Sequence, residues 1–332
     1  MKRLWIHILL FLPLRFLQAQ EDIPLYQDYL SENYYLIHPA MVGHNLSGIR
    51  VATGLRKQWF NQKSAPSTQL LSVEFNPDPK NGLGFLFYRD SNGYNALQAA
   101  YLSYSYKIYF NNEFWNTRRS YPTKNDNINE LHFGLSMGRI ERNWDRSHID
   151  TRLYDPLVNI DIPNFNDYLT FDVGLAYLTT KFSVQASIKN LAFSSIQSSP
   201  YNSLESANEV RFRRYVLGLQ YELYTLSGWN FEPSFLFQHA EQNRQNIIDL
   251  NFKIFRLLKN GRLWTGISYR QNDIGIPYQY SGTTQSQKMI LISPLFGINL
   301  RKMSMAYFVT TQTGAVSLLP RGVHSLLLTF NL

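Results

Sequence analysis

The chain has no cysteine. Disulfide scaffolds, zinc ribbons and thiol chemistry are therefore excluded. A chain of 332 residues without disulfides must draw its stability from a large core or from a membrane. Long apolar runs are also lacking. Past the first 17 residues no stretch reaches the ~20 apolar residues that a spanning helix needs, and the mean hydropathy is −0.27. A bundle of membrane helices is thereby excluded. Charge is scattered and never gathered into basic blocks, which argues against nucleic acid as a partner. Recognisable catalytic signatures are missing too. There is no Gly-x-Ser-x-Gly elbow, no phosphate-binding loop and no metalloprotease helix motif. The seven histidines, His7, His38, His44, His132, His148, His239 and His324, stand at no zinc-ligand spacing. His132 and Ser136 share a strand face but stand too far apart for a nucleophile–base pair. Asn125, Asp126 and Glu130 supply oxygens that a calcium ion would accept, but their turn-forming surroundings read as a solvated loop. The sequence therefore points to no enzyme, no cofactor and no metal.

What the chain does have is a processed-looking start. Met1-Lys2-Arg3 is basic, Leu4 to Leu17 is apolar apart from His7, Pro13 and Arg15, and Ala19 offers a small residue for cleavage. That order describes a secretory signal peptide over residues 1–19, with Gln20 as the new terminus. Removing Lys2, Arg3 and Arg15 from the 32 basic residues leaves 29 against 24 acidic ones, a net charge of +5.

Aromatics are abundant, with 22 Tyr, 22 Phe and 6 Trp. They recur in segments of about ten residues with period-two alternation, the pattern of a strand with one face in lipid. Phe171 to Tyr177 is the clearest. Its odd-numbered side chains are large and apolar, and its even-numbered ones are small or charged. Phe182 to Lys189 repeats the pattern after a tight connection at Thr179-Thr180, which makes a hairpin. Tyr215 to Leu223, Ile248 to Ile254 and Leu326 to Leu332 alternate in the same way. Asp172, Lys189, Glu222, Asp249 and Lys253 fall on the polar face and are expected to line a lumen.

Fourteen strands are expected, at 47–59, 67–77, 80–88, 96–110, 128–141, 168–178, 181–190, 211–224, 229–239, 247–256, 262–271, 288–299, 302–312 and 321–332. An even count suits a bacterial membrane barrel. The connections sort by parity. One set is short except at 111–127. The other includes long stretches at 142–167, 191–210 and 272–287. Short turns on one side and long loops on the other are an outer-membrane pattern, and closure removes sheet edges without disulfides. Trp59, Trp115, Trp229, Trp264 and Tyr269 are expected in interfacial girdles. The fold class is thus all-β: a transmembrane antiparallel barrel over residues 47–332, preceded by a segment at the periplasmic mouth over 20–46. That segment reads as a short helical piece ending before Pro39, with a turn at Gly43.

Several motifs resemble the PorP/SprF family of type IX secretion system outer-membrane proteins. The N-terminal stretch Tyr26-Gln27-Asp28-Tyr29 through Asn33, then Ile37-His38-Pro39-Ala40 and Gly43, is similar to the family's "SQYMFNPLYINPAYAG" pattern. Arg56-Lys57-Gln58-Trp59 matches "RxQW", and Ala65-Pro66-Ser67-Thr68-Gln69 with Ser72 matches "APxTQxLS". Gly174-Leu175-Ala176-Tyr177, Ser187 to Leu191, Leu263 to Arg270 and Gly322-Val323-His324 extend the likeness to nearly the whole mature chain. His38 stands where the family usually has Asn, and Ser325 where an acid often follows the His. The resemblance implies an outer-membrane barrel that works with type IX secretion components and a large secreted surface protein, such as a gliding adhesin. It singles out Tyr29, Asn33, Pro39, Gly43, Arg56, Gln58, Trp59, Pro66, Thr68 and Gln69 as structural or partner-binding positions. The alternative is an outer-membrane channel for hydrophobic small molecules, similar to fatty-acid transporters, to whose Asn-Pro-Ala motif His38-Pro39-Ala40 is a partial match. Those barrels carry a longer plug than the 27 residues available before residue 47. Intact-mass analysis of the protein from isolated outer membranes is expected to find Gln20 as its first residue; a retained Met1 would refute the cleavage site.

Overall fold

The computed structural model describes residues 32–46, 48–58, 65–93, 95–110, 128–144, 165–195, 213–241, 244–280, 283–314 and 322–332. The signal segment, Tyr29, Trp59, Trp115 and most of the long connections lie outside these residues.

The alternating segments form fourteen strands: β1 (Ile49–Gln58), β2 (Ser67–Phe75), β3 (Asn81–Asn92), β4 (Asn95–Tyr109), β5 (Asn129–Trp144), β6 (Phe165–Thr179), β7 (Phe182–Ser195), β8 (Arg214–Tyr221), β9 (Trp229–Ala240), β10 (Gln245–Leu258), β11 (Gly261–Tyr280), β12 (Thr283–Leu300), β13 (Met303–Thr313) and β14 (Val323–Asn331). Each strand pairs antiparallel with its neighbours in sequence, and β1 pairs with β14, from Arg50↔Asn331 to Gln58↔Val323, to close the barrel. Ile49 and Leu332 exchange both backbone hydrogen bonds at 3.2 and 2.8 Å. No helix among the described residues is long and apolar enough to cross a membrane.

Alternation decides which face meets what. On β4, Leu102 is 68% exposed while Ser103 beside it is 6% exposed. Leu135 and Met137 of β5, Phe171 and Leu175 of β6, and Ile267 of β11 also point outward. Asp172, Lys189, Asp249 and Lys253 all point inward and are buried, as the alternation requires.

Not every expectation holds. The stretch 272–287, read as a loop from its Asn, Asp, Gly and Pro residues, is almost wholly strand. After a register shift at Asn272/Gly275, β11 and β12 continue to pair from Gly275↔Lys288 to Tyr280↔Thr283. Trp264 belongs to no outer girdle. It faces inward, buried with Phe255, Leu295, Ala306 and Phe308. Trp229, by contrast, is exposed on the outside. β7 also outruns its expected end. Asn190 adopts φ +55° and its backbone N–H donates to Asp172 Oδ1 at 2.8 Å. The register shift between Phe171 and Val173 lets the strand resume and run to Ser195.

The N-terminal segment enters the lumen. Instead of one helix ending before Pro39, it makes two 3₁₀ turns, Tyr34–Leu36 and Pro39–Met41, the second beginning at Pro39. A ring with fixed φ and no N–H suits the first helical position. Tyr35, Ile37 and Val42 pack on Leu70, Leu86, Tyr88 and Tyr101 of the wall. Ala40 and Met41 pack on Ala176 and Leu178.

The wall makes room for this backbone with glycine. A Cβ at Gly134 would collide with Pro39 C and Ala40 N. At Gly84 it would lie 2.6 Å from Tyr35 Cζ, at Gly174 2.8 Å from His38 Cε1, and at Gly82 2.5 Å from the Val42 carbonyl. A missing side chain inside a strand commonly marks a close approach of another backbone. At Gly218 the nearest atoms stand 3.7 Å away. Gly134→Ala is expected to destabilise the barrel by about 1–3 kcal/mol through overpacking and to open residues 32–46 to protease, read by limited proteolysis and thermal melting in detergent. Gly218→Ala should match wild type in both.

Candidate functional site

The sequence-singled positions fall into two groups. Asn33, Pro39 and Gly43 lie in the luminal segment. Asn33 Nδ2 donates to Ser72 Oγ at 3.4 Å, Pro39 is buried, and Gly43 holds φ +66°. Gly43 is a hub. Its N–H donates to Glu74 Oε2 at 2.7 Å, and its carbonyl accepts from Lys107 Nζ at 2.6 Å and from Asn76 Nδ2 at 2.8 Å. The second group closes the β1–β2 hairpin at the other end. Gln58 N–H donates to the Pro66 carbonyl at 3.0 Å, and Thr68 Oγ1 donates to Asp90 Oδ1 at 2.6 Å. Arg56 is half-buried on the luminal side of β1, the face that Ala52 shares. Gln69 is exposed on the outer face. Thr68 precedes Asn76 by eight residues along an extended strand, so the groups stand roughly 25 Å apart and form no single site.

Around the first group, wall side chains satisfy the segment's carbonyls one by one. Ser105 Oγ donates to Val42 O at 2.8 Å. Arg50 Nη2 reaches His44 O at 3.1 Å and Asn45 O at 3.3 Å. Asn76 Nδ2 also reaches Leu46 O at 3.0 Å. Tyr35 OH donates to Ser103 Oγ at 3.0 Å, and Tyr34 OH donates to Gln220 Oε1 at 2.5 Å. His38 is buried against Gly174. Burial, and then the neighbouring Lys189 charge, push its pKa down to about 3, so the ring is neutral.

A second anchor was not visible in the sequence. Glu32, the first described residue, sits among cations from two strands, Lys253 of β10 and Arg262 of β11. Lys253 Nζ lies 2.5 Å from Glu32 Oε1 and 3.4 Å from Glu232 Oε2. Arg262 approaches the same two carboxylates at 3.6 and 3.7 Å. Asn299 Nδ2 donates to Glu32 Oε2 at 2.9 Å, and Asn299 Oδ1 accepts from Trp264 Nε1 at 2.5 Å. The Lys253 ammonium also lies 4.6 Å from the Trp264 ring centroid, a favourable cation–π distance. Burial alone would raise the Glu32 carboxyl. The charges of Lys253 and Arg262, with their hydrogen bonds, outweigh it and hold the pKa below 4.5. Elsewhere in the lumen Arg270 grips Asp249 in a fork at 2.5 and 2.6 Å, and Lys189 pairs with Asp172 at 2.5 Å.

Beside the segment lies a cavity with about 120 Å³ open to water, lined in part by Glu32, Tyr34, His44, Arg50, Thr180 and Asn331. Its wall residues come from the strand ends that carry the short turns.

A closed antiparallel barrel with an apolar exterior and a lumen of paired charges defines an outer-membrane β-barrel protein. Within that class the chain belongs to the PorP/SprF family, the type IX secretion system membrane proteins, whose family model matches residues 18–330. No curated protein is significantly similar to it. Among solved structures it is similar to a mutant of the monoaromatic hydrocarbon channel TodX, at 10% identity and a TM-score of 0.51 over 92% of this chain and 95% of that one. It also matches the monoaromatic hydrocarbon channel CymD, at 11% identity and a TM-score of 0.48 over 90% and 92%. The toluene transporter TodX of Pseudomonas putida follows, at 9% identity and a TM-score of 0.41 over 89% and 90%. At these identities the likeness concerns the barrel fold alone.

The Glu32 anchor has a definite pH signature. A carboxyl whose folded pKa is depressed stabilises the folded state fully above its unfolded value, near 4.5, and loses that contribution as pH falls through the folded value. Acidification below 4.5 is therefore expected to release residues 32–46 to protease, and Glu32→Gln should remove that pH dependence. Lys253→Met, which leaves two buried carboxylates with Arg262 as their shared counter-charge, should cost about 3–5 kcal/mol in detergent unfolding.

Proposed function

We infer that this barrel assists the secretion or cell-surface attachment of a partner protein, such as a large gliding adhesin, as a non-conducting component of the type IX machinery. One observation carries the reading most: the N-terminal segment is fixed inside the lumen by hydrogen bonds, ion pairs and glycine seats. A barrel held this way suits docking better than solute flow.

Orientation supports the same reading. Short turns face the periplasm in outer-membrane barrels, which sets the segment, the Glu32 anchor and the cavity in the periplasmic half. Residues 1–19 act as a cleaved export signal, and residues 20–46 lead into the barrel from the periplasmic mouth. Asn33, Pro39 and Gly43 are then structural, together with Tyr29. Arg56, Gln58, Pro66, Thr68 and Gln69 shape the outward end of the first hairpin, a position open to an exported partner. Loops on a rigid scaffold are common recognition surfaces.

The rival reading, passage of hydrophobic small molecules, requires an apolar path. Paired charges at Asp249–Arg270, Asp172–Lys189 and Lys253–Glu32 interrupt the apolar patches of the lumen. Deletion of the gene is expected to abolish surface display of one large secreted protein while leaving small-solute permeability at the wild-type rate. Unchanged display would overturn the reading, and fatty-acid uptake by proteoliposomes of the purified protein would favour the rival.

A further inference from the structure

We propose that His44, Glu130 and His132 form a divalent-metal site, of the zinc class, that staples the luminal segment to the barrel wall. His44 belongs to the segment; Glu130 and His132 project inward from β5, two residues apart and so on one face. One ligating atom from each lies within 4.8 Å of the other two. His132 is wholly buried and Glu130 is 3% exposed. Two imidazoles and a carboxylate make a recognised zinc donor set. Ligand atoms at ordinary zinc distances stand about 3.3 Å apart around a tetrahedral ion, so the cluster needs to contract by roughly 1.5 Å at most.

The hydrogen bonding singles out this cluster. His132 Nδ1 lies 3.3 Å from the Ala40 carbonyl, which can only accept. Nδ1 therefore carries the proton, and Nε2 of the neutral ring turns its lone pair toward Glu130 Oε2 at 2.6 Å. Two lone pairs at that distance repel unless a positive charge joins them, either a proton or a metal ion. A backbone carbonyl fixing the remote nitrogen is also the usual outer-shell arrangement for a metal-binding histidine. Two further atoms are poised without partners among the described residues: Glu130 Oε1 and His44 Nδ1, both fully buried. The His44 and His132 rings meet edge to face with centroids 5.7 Å apart. The neutral imidazole is the form of His44 that a metal ion would take.

The site has an approach and a free coordination position. His44 lines the water-accessible cavity at the short-turn end, so an ion can enter and a water can complete a tetrahedron. The nearby cations are engaged elsewhere. Lys107 Nζ donates to Gly43 O and Asn76 Oδ1, and Arg50 pairs with Glu74. With the ion bound, three side chains from two separate parts of the chain share one centre, and the segment gains a crosslink that a chelator can remove. The staple stands on the observed cluster and does not depend on the secretion role.

The test uses the mature protein without a polyhistidine tag, in detergent, stripped with chelator and dialysed against Zn²⁺ or Co²⁺. One zinc per chain is expected, with the visible absorption bands of tetrahedral Co²⁺ and slower proteolysis of residues 32–46. His44→Gln, at the accessible rim, should weaken Zn²⁺ binding by roughly tenfold or more, and Glu130→Gln should do the same. Each variant is checked for barrel folding by heat-modifiable gel mobility, so that misfolding is not mistaken for lost affinity. Stoichiometry well below one in the folded wild type would overturn the proposal and leave a shared proton between His132 and Glu130. So would zinc binding that His44→Gln and Glu130→Gln leave unchanged.

Discussion

Hydrocarbon offers no hydrogen-bond partner to a peptide group, and this single constraint organises the molecule. It requires the sheet to close, which the β1–β14 ladder achieves and the Ile49–Leu332 hydrogen bonds complete. Closure in turn sorts side chains by parity. Leu102 and Leu135 face lipid, while the charges between such residues have nowhere to go but inward. A lumen shielded from bulk water cannot hold those charges singly. They are met in pairs: Asp172 with Lys189, Asp249 with Arg270, and Lys253 with two carboxylates.

The same rule governs the chain inside the barrel. A segment of 3₁₀ turns leaves many carbonyls outside any ladder, and each would be costly if buried alone. The wall supplies Ser105, Asn76, Lys107 and Arg50 as donors at matching heights, and Glu74 as acceptor for the Gly43 N–H. Apolar contact and polar satisfaction thus come from the same few strands, chiefly β2 to β6. The segment and that side of the wall behave as one packed body, with glycine backbone replacing side chain where the two approach most closely.

Much of this was legible in the sequence, because lipid imposes its period on every strand it touches. Phe171 to Tyr177 and Phe182 to Lys189 announce their faces without help, and all fourteen strands overlap where alternation puts them, although β7, β11 and β12 run past it. The reading broke where a second influence replaced lipid. Trp264 looks like a girdle residue, but the lumen beside it is apolar, with Phe255 and Phe308, so hydrophobicity no longer marks the outside. Residues 272–287 carry Asn, Asp, Gly and Pro, yet Gly275 to Tyr280 pair with Thr283 to Lys288, because backbone pairing, not lipid-facing alternation, holds them as strand. The Glu32 anchor and the His44–Glu130–His132 cluster were invisible for a different reason. Glu32 and His44 lie far in sequence from the wall residues they meet, and only the closed barrel brings them together. Gly82, Gly84, Gly134 and Gly174 were the available clue, being strand glycines on the luminal face.

The extended β11–β12 hairpin has one more consequence. The ladders on its two sides stop at Asn272, opposite β10, and at Ile290, opposite β13. Past those points the backbone ladder runs between β11 and β12 alone, with Asp273 still accepting from the Asn246 N–H of β10 at 2.7 Å. An isolated two-stranded ribbon is barely stable in water, so this projection can fray and re-form without disturbing the ring beneath it. Its amide protons therefore belong at the fast end of the hydrogen-exchange spectrum and those of the barrel at the slow end, two cooperative units in one continuous pair of strands.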